Sequence, residues 1–172
     1  SCTVYGEPDE IPVTERTPRK PANSPYGNTK TICEDILNDI NVSGEDFQLV
    51  ALRYFNPIGA HESALIGELP KGVPGNLIPY ITQTAIGLRE QLTVFGDDYD
   101  TVDGSNVRDF IHVVDLAKAH IAAFEYLDQI EGSFYDVFNI GTGEGYSVLQ
   151  LINTFEKVND LKLNFKISQT SP

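Results

Sequence analysis

A tyrosine and a lysine four residues apart, Tyr26 and Lys30, are the side chains of this sequence best suited to proton transfer. Ser24 belongs to the residue types that favour helix N-caps, and Pro25 suits the first helical position. The sequence therefore predicts a helix that begins here. Residues four apart on a helix share one face, so we expect the phenol and the ammonium to point in the same direction.

The chemistry available to such a pair is general acid–base catalysis. A free tyrosine has a pKa of about 10 and is a poor base at neutral pH. A fixed ammonium beside a phenol favours the phenolate, which makes proton transfer near pH 7 possible. The spacing alone is weak evidence, because a packed tyrosine beside a solvated lysine is common on helices.

Other motifs accompany the pair along nearly the whole chain. The pattern Tyr26-x-x-x-Lys30 resembles the catalytic motif of the short-chain dehydrogenase/reductases, and its surroundings resemble the extended branch of that family, in particular the UDP-sugar 4-epimerases. Six motifs in the expected order are far more specific than any one of them. The matching segments are residues 1–6, 24–30, 52–61, 75–80, 94–96 and 107–117.

This resemblance implies an α/β fold, with part of a Rossmann-like parallel sheet whose N-terminal strands are missing here, and a smaller α+β substrate-binding region. It also implies NAD as the cofactor and 4-epimerisation of a UDP-hexose (UDP-glucose or UDP-galactose) through a transient 4-keto sugar, in galactose metabolism, by a homodimer. The implied division is 1–56 for the second half of the NAD-binding domain, 57–107 for the substrate-binding region, 108–142 for a return to the NAD-binding domain, and 143–172 for a truncated second part of the substrate-binding region.

The resemblance assigns roles to individual residues. Tyr26 would exchange the proton of the sugar 4-hydroxyl, Lys30 would bind the nicotinamide ribose, and Ser1 would orient the same hydroxyl. Thr3 would lie on the side of Ser1 if the segment is extended. The remaining assignments are Tyr54 and Phe55 beside the nicotinamide, Asn56 on the substrate, Asn76 and Leu77 on the diphosphate or uridine, Phe95 by the uracil and Arg108 on the diphosphate.

Plain structural roles stay open for several of these residues. Asn76 suits a helix cap, Phe95 a core position, and Arg108 with Asp109 a surface ion pair. Ser1 could equally be a terminal serine without a role. The histidines lack metal-like spacing and are interpreted as structural; they are His61, His112 and His120.

Competing functions lie inside and outside the same family. A nucleotide-sugar dehydratase resembles these motifs but carries an Asp-Glu pair directly after the threonine, whereas Val4 and Tyr5 follow Thr3 here. A 4-epimerase is therefore favoured over a dehydratase. Epimerases of UDP-N-acetylhexosamines or UDP-pentoses stay open, as does a non-catalytic NAD-binding protein of the same fold.

Composition excludes other classes of protein. The 172 residues carry a net charge of −13, which argues against a nucleic-acid partner. The two cysteines form no CxxC motif, so we expect neither a zinc site nor a disulfide, and a reducing compartment such as the cytoplasm fits. No apolar run approaches the roughly 20 residues of a membrane span, and we expect no signal peptide and no membrane partner.

Apolar periodicity predicts alternating helices and strands, as in βαβ units. The first helix should bury Ile32, Cys33, Ile36, Leu37 and Ile40 and expose Glu34, Asp35, Asn38 and Asp39. The predicted helices are 25–40, one capped by Asn76 and ending near 88, one capped by Asp115 and ending near 127, and one capped by Ser147 and ending near 158. The predicted strands are the end of one at 1–6, then 47–55, 92–95, 110–114, 135–140 and 161–167.

No dinucleotide-binding glycine motif is present. Residues 141–145, Gly-Thr-Gly-Glu-Gly, approach the pattern, but Tyr146 fills the position of its last glycine, so a tight strand-to-helix turn is predicted. The resemblance implies a glycine-rich loop before Ser1 and a further arginine after Pro172. We therefore expect an internal fragment of a longer enzyme, inactive by itself.

Overall fold

Helices and strands alternate along the chain, as the sequence pattern predicts. The computed structural model describes residues 1–44 and 46–169. The chain begins with a short 3₁₀ helix, Cys2–Tyr5. The α-helices are α1 Pro25–Val42, α2 Leu77–Ala85, α3 Val113–Leu127 and α4 Val148–Asn159. The strands are β1 Gln48–Tyr54, β2 Asn56–Ile58, β3 Leu92–Phe95, β4 Val107–His112, β5 Phe134–Ile140, β6 Gly145–Ser147 and β7 Phe165–Ser168.

Parallel strand pairs dominate the sheets. β1 lies parallel to β5, with Gln48 opposite Phe134 and Tyr54 opposite Ile140. β2 is parallel to β4, which is antiparallel to β6, and β3 is parallel to β7. Parallel strands joined through helices define an α/β fold, so the predicted fold class is confirmed.

The main apolar core lies where α2 and α4 pack beside β3. Its buried members are Ile81, Leu92, Val94, Ile152 and Leu163. This core fixes the first residue of α2 and the last residue of β3, both of which carry predicted substrate-binding side chains. The division of the chain into 1–56, 57–107, 108–142 and 143–172 stays a prediction, and residues 170–172 lie outside the described residues.

Two helices begin where local capping signals predict. Ser24 caps α1, and its Oγ accepts a hydrogen bond of 3.1 Å from the Gly27 amide. Ser147 caps α4, and the Gln150 side chain returns a hydrogen bond to complete a capping box. These signals are local in sequence, and therefore the starts of both helices are predicted correctly.

The predicted strand end at residues 1–6 is wrong. This segment is a 3₁₀ turn, in which the Val4 amide donates to the Ser1 carbonyl at 3.4 Å and the Gly6 amide donates to the Thr3 carbonyl at 3.2 Å. Gly6 follows with a φ of 60°, a conformation that glycine adopts readily. The chain therefore bends sharply before the proline-rich loop.

The boundary between β4 and α3 also differs from the prediction of a strand at 110–114 and a cap at Asp115. Helix α3 begins at Val113, and the Nδ1 atom of His112 caps it by accepting a hydrogen bond of 3.2 Å from the Val114 amide. Strand β4 begins earlier, at Val107, because its first residues pair with β6. An imidazole nitrogen can accept as a carboxylate does, although histidine is not a typical cap.

The predicted buried face of α1 is wrong, because three of its five apolar residues are exposed, Cys33 among them, and the other two are only half-buried. Ile32 and Ile36 are 47% and 52% exposed, whereas Glu34, predicted to face solvent, is only 6% exposed. The carboxylate can be buried because it pairs with the guanidinium of Arg53. Local periodicity places carboxylates in water by default and cannot anticipate a partner 19 residues away.

Two further elements, α2 and β7, are shorter than predicted. Helix α2 ends at Ala85 rather than near 88, and the last strand begins at Phe165 rather than at 161. Leu163 precedes that strand and is buried in the core, which accounts for the apolar pattern there. Among the described residues, no helix has both the length and the apolar character that crossing a bilayer requires.

Candidate active site

Tyr26 and Lys30 extend from the first two turns of α1 toward the same side. The Lys30 Nζ atom lies 5.1 Å from the centroid of the Tyr26 ring, within the range of a cation–π contact. Tyr26 is 59% exposed, so its hydroxyl is accessible to a ligand. The geometry that the spacing predicts is therefore present.

The Lys30 ammonium is not paired with a carboxylate in the described part of the chain. Among residues 1–44 and 46–169, no acidic side chain forms an ion pair with it. Its donors are free to bind hydroxyl groups of a ligand, because an ammonium carries three N–H donors and no acceptor. These properties suit the ribose contact predicted for Lys30.

Two hydroxyls of the N-terminal segment lie together. The Thr3 Oγ1 atom donates a hydrogen bond of 3.1 Å to the Ser1 Oγ atom. The same segment packs on α1, because a Cβ added at Gly27 would lie 3.6 Å from the Thr3 carbonyl oxygen. The 3₁₀ turn thus joins these hydroxyls without the extended backbone that the prediction required, and its backbone lies against the helix that carries Tyr26.

A cleft of about 730 Å³ brings together five predicted substrate-binding residues from four separate segments. Residues of the α/β core and the loops at 68–76 and 99–106 enclose it. The predicted residues in its lining are Asn56, Asn76, Leu77, Phe95 and Arg108. Within the described part of the chain, the lining does not include Ser1, Tyr26, Lys30, Tyr54 or Phe55.

The chain joins the cleft to the other predicted residues through β1. Tyr54 ends that strand, Phe55 follows, and Asn56 opens β2 and lines the cleft. The Phe55 amide donates a hydrogen bond of 3.1 Å to the Ile140 carbonyl, which continues the pairing of β1 with β5. Asn56 is therefore held rigidly at the carboxyl end of a parallel strand, where α/β folds bind ligands.

Asn76 occupies the N-cap position of α2, but its side chain does not cap the helix. Its Nδ2 atom instead donates a hydrogen bond of 2.6 Å to the Glu68 Oε1 atom. Both residues line the cleft. Glu68 therefore fixes the carboxamide of Asn76, a contact that the sequence pattern did not reveal.

Arg108 is available for an anion. Its Nη1 atom donates to the Asn106 side chain and, at 3.1 Å, to the Val107 carbonyl. Among the residues that the structure describes, it makes no ion pair with an acidic group, so the alternative of an Arg108–Asp109 pair is wrong. A guanidinium in this state can bind phosphate oxygens in a bidentate manner.

Asp109 holds the glycine-rich turn instead. Its carboxylate accepts hydrogen bonds from the Thr142 hydroxyl at 2.8 Å, the Thr142 amide at 3.0 Å and the Gly143 amide at 2.9 Å. The amides of this turn are thus occupied by an internal carboxylate. The turn contacts Phe55 as well, since a Cβ added at Gly141 would lie 2.8 Å from the Phe55 ring.

A buried ion pair joins α1, which carries Tyr26 and Lys30, to β1. The Arg53 Nε atom donates to Glu34 Oε1 at 2.9 Å, and its Nη2 atom donates to Glu34 Oε2 at 2.6 Å. Burial alone would lower the pKa of Arg53, but its hydrogen bonds to Glu34 and to the Tyr5 hydroxyl outweigh burial and raise that pKa above the ordinary value. The only sequence signal for the pair is a charged residue inside the apolar run of β1.

Each of the three histidines makes a local hydrogen bond. His112 caps α3, His61 Nδ1 lies 2.8 Å from the Ser63 hydroxyl, and His120 Nδ1 lies 2.8 Å from the Leu116 carbonyl oxygen. Within the described ranges, no group of three or more His, Cys, Asp or Glu side chains is arranged to hold a metal ion. Structural roles account for these histidines.

The sequence of this chain is similar to a known family and to named enzymes. Residues 1–141 match the NAD dependent epimerase/dehydratase family. The chain is 51% identical over 172 residues to a UDP-glucose 4-epimerase of Bifidobacterium longum and 53% identical over 173 residues to one of Pasteurella multocida, and each alignment covers 100% of this chain and 50% of the relative.

Solved structures show the same relationship. The crystal structure of UDP-glucose 4-epimerase from Bifidobacterium longum in complex with NAD⁺ and UDP superposes with a TM-score of 0.92 at 49% identity. The match covers 100% of this chain and 50% of that one. The chain thus spans about half the length of the curated relatives that it matches.

Proposed function

The chain belongs to the NAD dependent epimerase/dehydratase family, and from this premise we propose that the complete gene product interconverts UDP-glucose and UDP-galactose. The observation that carries the proposal is the exposed Tyr26 phenol with the Lys30 ammonium 5.1 Å from its ring. The named relatives, at about half identity over the whole of this chain, support the choice of substrate.

The cleft provides the substrate contacts. With a net charge of −13, the chain can bind an anionic diphosphate only where a positive group is free of acidic partners. Arg108 is such a group at the edge of the cleft, and we assign it to the diphosphate. Asn76 and Leu77 would contact the diphosphate or the uridine, Phe95 the uracil, and Asn56 the part of the substrate nearest to β1.

The residues present fit NAD on the side of its nicotinamide. Lys30 offers free N–H donors for the ribose hydroxyls, and Tyr54 and Phe55 offer aromatic surface at the end of β1. When bound, NAD supplies the acceptor and the donor of hydride for the sugar C4 atom. The protein then has to bind, to orient and to move one proton.

Tyr26 is the group that moves the proton. As a phenolate it accepts the proton of the sugar O4 hydroxyl while C4 is oxidised to the ketone, and as a phenol it returns that proton when C4 is reduced on the opposite face. The Lys30 ammonium places a positive charge beside the ring that exchanges this proton. Ser1, whose hydroxyl accepts a hydrogen bond from Thr3, orients the same oxygen.

The oligomer and the compartment are also part of the proposal. A homodimer would cover apolar side chains of α1, because Ile32 and Ile36 are about half exposed. A cytoplasmic location agrees with two cysteines that form no disulfide with each other. Light scattering of the complete protein tests the first point, since a monomer at micromolar concentration would exclude the dimer.

The experiment that tests the activity uses the complete gene product with NAD. UDP-glucose is supplied, and the UDP-galactose formed is measured by chromatography. We expect interconversion in both directions toward one equilibrium ratio. Parallel incubations with UDP-N-acetylglucosamine and UDP-xylose test the neighbouring specificities. The proposal would be overturned by turnover of UDP-N-acetylglucosamine or UDP-xylose without turnover of UDP-glucose, or by turnover of no UDP-sugar at all.

A further inference from the structure

One side of α1 carries functional groups at intervals of four residues: Tyr26, Lys30 and Glu34. Residues at this spacing lie above one another on a helix. Glu34 is two turns beyond Tyr26, about 12 Å along the axis. Glu34 is 6% exposed, whereas Tyr26 is 59% exposed. The row therefore runs from the exposed end of the helix into the interior.

Arg53 holds the buried end of this row. Its guanidinium donates from Nε and Nη2 to the two carboxylate oxygens of Glu34, at 2.9 and 2.6 Å. Arg53 is 5% exposed, and it belongs to β1. A bidentate pair fixes orientation as well as distance, so it permits one register of α1 against β1.

The same guanidinium reaches the N-terminal 3₁₀ helix. Its Nη1 atom donates to the Tyr5 hydroxyl at 3.0 Å, and that hydroxyl donates to the Asn139 Oδ1 atom at 2.6 Å. The Arg53 guanidinium also lies 4.9 Å from the centroid of the Tyr5 ring, which is buried. Asn139 is the partner of Arg53 in the parallel pairing of β1 with β5.

The network joins every element that carries a proposed acid–base or nicotinamide-side residue. Helix α1 carries Tyr26 and Lys30, and the 3₁₀ helix follows directly after Ser1. Strand β1 passes through Arg53 and ends at Tyr54, immediately before Phe55 and Asn56. A change in the register of α1 against β1 would displace the phenol from the other groups.

Stability alone does not explain such a pair. Replacing a buried ion pair by apolar side chains of similar volume is often neutral or stabilising, whereas removing one partner leaves an uncompensated charge. The alternative use of a buried pair is to select one arrangement among several. Here the arrangement concerned is that of α1, β1 and the 3₁₀ helix.

We propose that Glu34 and Arg53 are positioning residues for proton transfer, which set the register of α1 against β1 and so align Tyr26 and Lys30 with Ser1. Neither side chain touches the reacting atoms. This inference rests on the proposed function, because it names the residues that align its acid–base group.

The decisive variant replaces both partners, Glu34→Leu with Arg53→Met, in the complete gene product loaded with NAD. Both partners are replaced, because Arg19 lies 3.6 Å from the Glu34 carboxylate and could pair with it if only Arg53 were removed. We expect an unfolding temperature within about 5 °C of wild type. The KM for UDP-glucose should stay within twofold, since the cleft is lined by other elements, while kcat falls about 100-fold, as expected for a misplacement near 1 Å.

A second variant serves if the double variant does not fold. Glu34→Gln keeps the shape and one acceptor, so the protein should fold with kcat reduced about tenfold. Its matched control is Glu156→Gln on α4, which also removes a buried carboxylate, one that accepts from Lys162 at 2.7 Å and from the Leu163 amide at 2.8 Å. The control should change the unfolding temperature and leave kcat unchanged.

The outcomes separate this inference from the proposed function. The positioning role alone is overturned if the wild type is active and the folded double variant has the wild-type kcat. The same holds if the Glu34→Gln variant has the wild-type kcat. An inactive wild type overturns the proposed function, and crystal structures then decide the inference. A shift of the Tyr26 hydroxyl relative to Ser1 Oγ by about 1 Å in the variant supports it, and superposable positions refute it.

Discussion

Lys30 Nζ lies 5.1 Å from the centroid of the Tyr26 ring, one helical turn further along the same face of α1. The ammonium forms no ion pair with an acidic group among the described residues, and the phenol is largely exposed. Charge and accessibility are thus combined where general acid–base chemistry requires them.

Replacing the ammonium by an apolar group of similar length should impair catalysis. In a Lys30→Met variant of the complete protein, we expect kcat to fall at least 100-fold, because the proposed ribose contact and the positive charge beside the acid–base group are both removed. Steady-state kinetics with UDP-glucose measure the change. The control is Lys118→Met on α3, an exposed lysine whose partner is Asp115. A Lys30→Met enzyme as fast as this control would contradict the assignment.

Arg108 should contribute to substrate binding rather than to the chemical step. An Arg108→Lys variant keeps the charge but loses the planar fork that matches two phosphate oxygens. We expect a KM for UDP-glucose raised about tenfold, with kcat nearly unchanged. Arg16→Lys, at an exposed position in the proline-rich loop, is the control. An unchanged KM together with a lower kcat would show that Arg108 acts elsewhere in the reaction.

The turn after β5 should not tolerate a side chain at Gly141. A Cβ there would lie 2.5 Å from the Asp109 carboxylate and 2.8 Å from the Phe55 ring. We expect Gly141→Ala to lower the free energy of unfolding by about 1–3 kcal/mol, as for an overpacked site, when measured by urea denaturation. Gly67→Ala should have little effect, because its nearest contact would be 3.8 Å away. Equal stability of the two variants would show that the turn is not tightly packed.

Asp103 should make stability depend on pH in the acid range. The Ser147 hydroxyl, followed by Ser105, donates hydrogen bonds to its carboxylate and holds its pKa below the ordinary value of about 3.9. A depressed pKa in the folded state stabilises the protein above the unfolded-state value, and this contribution is lost as the pH falls through the folded-state value.

The variant Asp103→Asn should remove that contribution. We expect it to be less stable than wild type at pH 7, with a smaller further loss as the pH falls below about 4, as measured by urea midpoints. Asp98→Asn, at an exposed site in the same loop, provides the control. If the two variants lose stability in parallel below pH 4, the hydrogen bonds to Asp103 do not determine the acid response.

Short-range signals in the sequence predicted the elements that depend on them. The Ser24-Pro25 start of α1 and the Ser147 cap of α4 need only neighbouring backbone amides, and both are confirmed. β3 is also confirmed at its predicted bounds. The cap of α3 was not predicted because histidine is rarely a helix N-cap, and here His112 fills that position. The 3₁₀ helix at the start was not predicted because four residues carry no clear period.

Contacts between residues distant in sequence could not be predicted from one chain. Glu34 and Arg53 bury each other across 19 positions, and Asp109 holds a turn 33 positions away. Local patterns assign each of these carboxylates to solvent or to a neighbouring arginine. The motifs that carry the family resemblance instead selected Asn56, Asn76 and Arg108, which line one cleft, and their role in substrate binding stays a prediction.

The most direct test of the account is the rate of epimerisation by a Tyr26→Phe variant of the complete protein, compared with wild type and with Tyr126→Phe. The control also loses one phenol hydroxyl, from a ring on α3 that packs edge-to-face against Phe134 and Phe138 of β5. We predict that Tyr26→Phe lowers kcat by about 10²–10⁴-fold, while Tyr126→Phe retains wild-type activity. Interconversion of UDP-glucose and UDP-galactose by Tyr26→Phe at the wild-type rate would contradict the account.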